Sequence, residues 1–191
     1  MANVKGTKTE KNLMAAFAGE SQARNRYTYY AGKARKEGYK QIEATFLEIA
    51  DQEKEHAQRL FRFMEGGEIE ITASFPGGPE KDTLANLKDA AAGERHEYTE
   101  MYPGFADIAQ KEGFAEIAGV MRSIATAEKY HEDTFLGLAK NLEDGAVFKK
   151  DGKVFWRCRN CGFVTEASEA PEQCPACAHP RGYFEVRATN W

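Results

Sequence analysis

From residue 8 to residue 143, apolar positions recur at alternating spacings of three and four, with few prolines. That period predicts helix. The breaks are local. Gly38 in KEGY (36–39) and Gly113 in KEGF (111–114) suit tight helix–helix turns. Residues 66–79, GGEIEITASFPGGP, form a longer connection, and Pro103-Gly104 should kink or interrupt the third helix. The predicted helices are 8–36, 40–65, 80–111 and 114–143. Short, long and short connections describe a four-helix bundle of two hairpins joined by one long crossover. After residue 144 the pattern changes to short β-like runs, VFWRC, GFVTE and GYFEV. The chain therefore divides into 1–146, a helical bundle, and 147–191, a small appended domain.

The two hairpins repeat each other. Residues 36–56 aligned on 111–131, at an offset of 75, share nine of twenty-one positions, including Gly38/Gly113, Ile49/Ile124, Glu53/Glu128 and His56/His131. AGE at 18–20 matches AGE at 92–94 at an offset of 74, but Tyr27 and Tyr102 return to 75. The third helix thus carries one extra residue between Glu94 and Tyr102, which a π-bulge would absorb.

The repeated pairs EKEH (53–56) and EKYH (128–131) fall on the apolar seams. One seam runs Ile42, Phe46, Ile49, Glu53, His56, Leu60; the other runs Ile117, Met121, Ile124, Glu128, His131, Phe135. The first helix places Glu20 on its inner face after Leu13 and Phe17, and the third places Glu94 after Leu84, Leu87 and Ala91. Ionised and unpaired, these carboxylates would be prohibitive in an apolar core. Arg24 is the single basic residue near the seams, so multivalent cations are the natural counter-charge. Glu20, Glu53, Glu94, Glu97 and Glu128 sum to −5, against +4 for two ferrous ions. A glutamate and a histidine three apart on a helix are neighbours, about 5–6 Å between Cβ atoms. Two such pairs, plus one glutamate from each remaining helix, match the di-iron or di-manganese carboxylate bundles. Glu97 lies just off the seam with Ala23 as its repeat counterpart; it is either a solvated acid or an extra, symmetry-breaking ligand. Tyr27 and Tyr102 are either core aromatics or phenols that hydrogen-bond a ligand carboxylate or supply a proton. His96 faces another way and reads as surface.

All four cysteines lie in the tail, as Cys158-x-x-Cys161, twelve residues, then Cys174-x-x-Cys177. This spacing indicates one tetrahedral four-thiolate site, for zinc or iron. A segment of about 40 residues needs such a staple. His179 stays outside, because four sulfurs complete the tetrahedron. With 42% hydrophobic residues and a net charge of −4, the chain has a sizeable core and no basic surface for nucleic acid. The N-terminus lacks the apolar run of a signal peptide, and no stretch approaches a membrane span. We expect a soluble, cytoplasmic protein.

Together, AGE at 18–20, EKEH at 53–56, ERHE at 94–97, EKYH at 128–131 and CRNCG…CPAC resemble the rubrerythrins from about residue 8 to the end. The resemblance implies a ferritin-like four-helix bundle with one long crossover, followed by a small β-rich rubredoxin-like domain. It implies a non-heme di-iron centre held by Glu20, Glu53, Glu94, Glu97, Glu128, His56 and His131, with Glu53 and Glu128 bridging. One iron would shift between Glu97 and His56 as its oxidation state changes. A second centre, one iron, would be bound by Cys158, Cys161, Cys174 and Cys177. Two departures stand out: Ala178 occupies a position where rubredoxin knuckles favour glycine, and the loop between knuckles is short.

The activity implied is peroxidase: hydrogen peroxide reduced to water in an anaerobic or microaerobic cytoplasm, by a homodimer or higher homo-oligomer. Glu97, His56, Tyr27 and Tyr102 are the expected catalytic group. Electrons would pass through the tail iron from an external redox protein or reductase. The rival readings are a ferroxidase and a metal-stabilised bundle with a structural zinc ribbon.

Overall fold

The computed structural model describes residues 3–190. Helix α1 (Lys8–Lys36) opens on Thr7, whose hydroxyl accepts from Glu10 N, while the Glu10 carboxylate accepts from Gly6 N. It closes at Gly38, which takes a φ of 87°, a conformation that glycine adopts without strain. Helix α2 (Lys40–Phe61) returns alongside it. Residues 62–82 then cross over without regular structure. Helix α2 ends four residues earlier than its apolar spacing suggests, and the chain passes Gly66 and Gly67 with positive φ. The third helix starts at α3 (Thr83–His96), where Asp82 caps Ala85 N at 2.8 Å; the cap sets its start three residues late.

The extra residue of the third helix appears as a π-helical turn, Glu97–Met101, in which Tyr102 N donates to Glu97 O, five residues back. Helix α4 (Tyr102–Lys111) continues from it with Pro103 in its first turn. A missing N–H is tolerated there, so the proline follows a π-turn instead of breaking the helix. Gly113 repeats the geometry of Gly38, again at φ 87°, and α5 (Ala115–Glu143) completes the bundle.

The tail is a three-stranded antiparallel sheet of β1 (Lys149–Cys158), β2 (Val164–Glu169) and β3 (Phe184–Val186), in the order β2-β1-β3. Its small core is Trp156, Cys158, Ala170, Cys174 and Phe184. The sheet seats on the α1–α2 turn. Phe148 stacks on Tyr39 with ring centroids 6.1 Å apart, Lys40 Nζ lies 5.1 Å from the Tyr183 ring, and Gly182 packs on the Gly38 backbone. A Cβ at Gly182 would fall inside the van der Waals envelope of the Gly38 carbonyl. Gly182→Ala should therefore unseat the tail while leaving both parts folded. Small-angle scattering should show a larger radius of gyration with helix content unchanged; an unchanged radius would mean that the seat does not depend on this contact.

Candidate metal centres

Each of α1, α2, α3 and α5 interrupts its buried stripe with an almost fully enclosed glutamate. The apolar core is thereby split in two: Tyr27, Phe46, Leu87 and Phe135 on one side, and Leu13, Leu60, Tyr102 and Met121 on the other. Glu20, Glu53, Glu94 and Glu128 lie between these layers, each at most 1% exposed. The ligand atoms of Glu20, Glu53, His56 and Glu128 lie within 4.8 Å of one another, and so do those of Glu53, Glu94, Glu128 and His131. Glu53 and Glu128 belong to both groups. Their oxygens divide between the halves. Glu128 Oε1 is 2.9 Å from His56 Nδ1 and Oε2 is 2.7 Å from His131 Nδ1; Glu53 Oε2 is 3.0 Å from His56 and Oε1 is 3.1 Å from His131. This is the disposition of a carboxylate that spans two cations.

Buried polar atoms normally find partners. Here Glu20 Oε2, Glu53 Oε1, Glu94 Oε2, both Glu128 oxygens and His131 Nδ1 have no hydrogen-bond partner. Such a concentration of orphaned ligand atoms fits two cations with oxygen and imidazole ligands. The electrostatics agree. Burial, with the charge of Glu53 adding to it, pushes the Glu20 carboxyl well above the usual carboxylate range. Burial and the neighbouring Glu53 and Glu128 do the same to Glu94. Against burial, Glu128 and Glu53 raise His131 to about 9, and His56 is raised further against the same opposition by Glu128, Glu20 and Glu53. Without metal, retained protons supply the positive charge that the cage demands.

The two tyrosines brace the outer carboxylates crosswise. Tyr27 of α1 donates to Glu94 Oε1 of α3 at 2.5 Å, and Tyr102 of α4 donates to Glu20 Oε1 of α1. Burial and the adjacent carboxylates raise both phenols well above their ordinary value, so each holds its proton and stays a donor. Glu97, in the π-turn, belongs to neither ligand group and is partly exposed. Burial of its carboxyl, with Glu128 and Glu53 nearby, still pushes its pKa up. His96 is exposed and faces Glu100 at 3.4 Å. Gln52 is the residue that sequence reasoning missed: its Oε1 lies 2.9 Å from His131 Nε2. Its repeat counterpart is Ala127, so a search for repeated chemistry passes over it.

In the tail, Cys158 and Cys177 sulfurs are 3.8 Å apart and those of Cys161 and Cys174 are 3.7 Å apart. A tetrahedron with metal–sulfur bonds of about 2.3 Å has edges of about 3.8 Å. The backbone N–H of His179 holds the Cys177 thiol down, to about 6. The two knuckles are alike: Gly162 N donates to Cys158 O at 2.9 Å and Ala178 N to Cys174 O at 2.8 Å. Ala178 thus keeps the glycine geometry, with a φ of 59° against 80° at Gly162. His179 is outside the cysteine group, its ring 4.5 Å from that of Tyr183.

The protein-family description Rubrerythrin matches residues 11–139, and Rubrerythrin, rubredoxin-like domain, matches residues 156–185. The chain belongs to the rubrerythrin family. It is 59% identical to the rubrerythrin of Nitratidesulfovibrio vulgaris over 191 residues, covering all of both chains. It is 56% identical to the rubrerythrin of Porphyromonas gingivalis, covering 99% of this chain and 94% of that one. Among solved structures, nigerythrin in its partially reduced state superposes with a TM-score of 0.64 at 30% identity, over 98% of this chain and 94% of that one. The fold is thus a rubrerythrin's ferritin-like bundle with a rubredoxin-like tail, and the cofactors are a di-iron centre and an iron at four cysteines. No helix among the described residues is long and apolar enough to cross a membrane.

Two outcomes are expected. Removing the bundle metals should lower Tm by about 10 °C near neutral pH, since saturating ligands add about 3–4 kcal/mol. The gap should widen from pH 5.5 to 9. In the metal-free chain, Glu20, Glu94, Glu97 and His131 all bind protons more tightly folded than unfolded. Their stabilisation fades as pH rises, for His131 between 6.5 and about 9, whereas metal affinity grows as the ligands deprotonate. Paired melting curves across pH check this. Separately, Ala178→Gly should relieve left-handed strain and stabilise the tail by up to about 1 kcal/mol. Resistance of the tail to denaturant would measure it.

Proposed function

We propose that the chain is a cytoplasmic peroxidase that reduces hydrogen peroxide to water, drawing electrons through the tetracysteine iron from an external redox protein. The observation that supports it best is the pairing, in one chain, of a two-cation carboxylate cage with a four-sulfur site. A di-ferrous centre holds two electrons, the number that cleavage of one O–O bond takes up. The chain's own residues then have distinct tasks. Glu53 and Glu128 would be shared by the two metals, and Glu20 with His56, and Glu94 with His131, would complete the two sides. Tyr27 and Tyr102 fix the outer carboxylates in place. An open cleft of about 380 Å³, lined by Gln52, His56, Ala127, Tyr130 and His131 among others, lies on the histidine side of the cage, a volume that exceeds that of a peroxide molecule. Glu97 lies outside both ligand groups yet close enough to interact with Glu128, Glu53 and His56. It can turn inward as a ligand in place of His56, or hold one of the protons that water formation consumes.

The seat of the tail supports electron delivery between subunits. It contacts α2 at Lys40, thirteen residues before Glu53, or about 20 Å along the helix. That span is long for direct transfer within one chain, and a homodimer in which each tail served its partner would offer a second route.

Anaerobic reduction until the tail's visible colour bleaches, followed by one equivalent of hydrogen peroxide, tests the reading. Colour should return within seconds as peroxide disappears, and Glu97→Ala should slow that return at least tenfold. A colourless protein, or one that stays bleached over persistent peroxide, would leave the tail structural or disconnected.

A further inference from the structure

The two halves of the carboxylate cage are built from one repeat, yet their histidines are held differently. His131 turns Nδ1 onto Glu128 and Glu53, and its other ring nitrogen meets Gln52 Oε1 at 2.9 Å. The amide oxygen is an acceptor, so Nε2 donates to it and Nδ1 is the nitrogen that faces the cage, able to ligate once a metal displaces its proton. His56 presents Nδ1 to Glu53 and Glu128 in the same way. Its Nε2 has no hydrogen-bond partner among the described residues. The position that should supply one, 75 residues after Gln52, is Ala127. Gln52, Ala127, His56 and His131 line the same cleft, so the missing tether is a local fact of the site. Exposure follows: the His131 side chain is 9% exposed and that of His56 17%.

We propose that Gln52 is a positioning residue that locks His131 as a permanent metal ligand, while the methyl of Ala127 leaves its twin His56 free to disengage. A hydrogen bond to the far nitrogen fixes both tautomer and ring plane, and losing such a partner typically costs 10–100-fold in metal affinity. The half with Gln52 is therefore rigid and tight. The half with Ala127 is the weaker one, and its histidine can leave without breaking a bond at its back. The inequality of the halves then comes from two positions, the added Glu97 and the absent partner at residue 127. This inference rests on the paired-metal reading of the cage and on no property of peroxide.

The full-length protein loaded with zinc, which is diamagnetic, gives a direct readout through histidine side-chain nitrogen NMR. In the unsubstituted protein, His131 should show a slowly exchanging Nε2–H and His56 a rapidly exchanging one. Gln52→Ala should make the His131 proton exchange rapidly and weaken one of the two bundle zinc ions by 10–100-fold. Gln52→Glu, which keeps the acceptor, should restore both. Ala127→Gln should slow exchange at His56 and tighten the other ion. The proposal is overturned if His131 carries its proton on Nδ1, or if Gln52→Ala leaves exchange and both zinc affinities unchanged. It is equally overturned if the two histidines exchange alike in the unsubstituted protein. A failure to turn over peroxide would touch none of these signals, so the two readings stand or fall separately.

Discussion

Everything in the bundle answers to one demand: four glutamates on facing helices are buried, and positive charge must be present among them. An unpaired buried carboxylate costs several kcal/mol, and four together would oppose folding outright. The chain supplies almost no cationic side chains to the cage. It relies on cations from outside or on protons kept by the acids and histidines themselves. Folding and metal loading are thus linked equilibria. The two apolar layers on either side of the cage tie the helices into one body despite the polar plane between them.

The cage is ordered from its centre outward. Glu53 and Glu128 each divide their oxygens between the two halves, so they stand at the centre of both ligand groups. Glu20 and Glu94 sit outside them, and their orientation is set by phenols from the opposite hairpin. Tyr27 and Tyr102 each belong to a different apolar layer. Packing in one layer therefore positions a carboxylate through a hydroxyl, and packing in the other does the same at the far side. Loss of either ring would be felt at the cage as well as in the core.

Periodicity and repetition made much of this legible in the sequence. The seam positions of Glu20, Glu53, Glu94 and Glu128 follow from a 3.6-residue period, because each lies in register with apolar neighbours. The π-turn was legible because an offset that moves from 74 to 75 is a count, independent of propensity. Helix ends were less legible: Asp82 and the glycines at 66 and 67 decide them through local capping that apolar spacing does not encode. The role of Gln52 was hidden for the opposite reason to the glutamates. Its partner is 79 residues away on α5, and a feature that occurs in one half alone leaves no echo in the other. Glu97 is visible as an exception to the repeat, but its position outside both ligand groups depends on how the π-turn aims it.

The crossover of residues 62–82 has little structure and makes few demands on the fold, yet it changes what the molecule can become. Two identical hairpins associating as separate chains would be related by a strict twofold axis. Any substitution beside one metal position would then appear beside the other. Joining the hairpins covalently releases them from that rule: an inserted residue in the third helix or an alanine at 127 alters one half and spares its twin. The linker is what lets a site built on a repeated motif present two unlike halves.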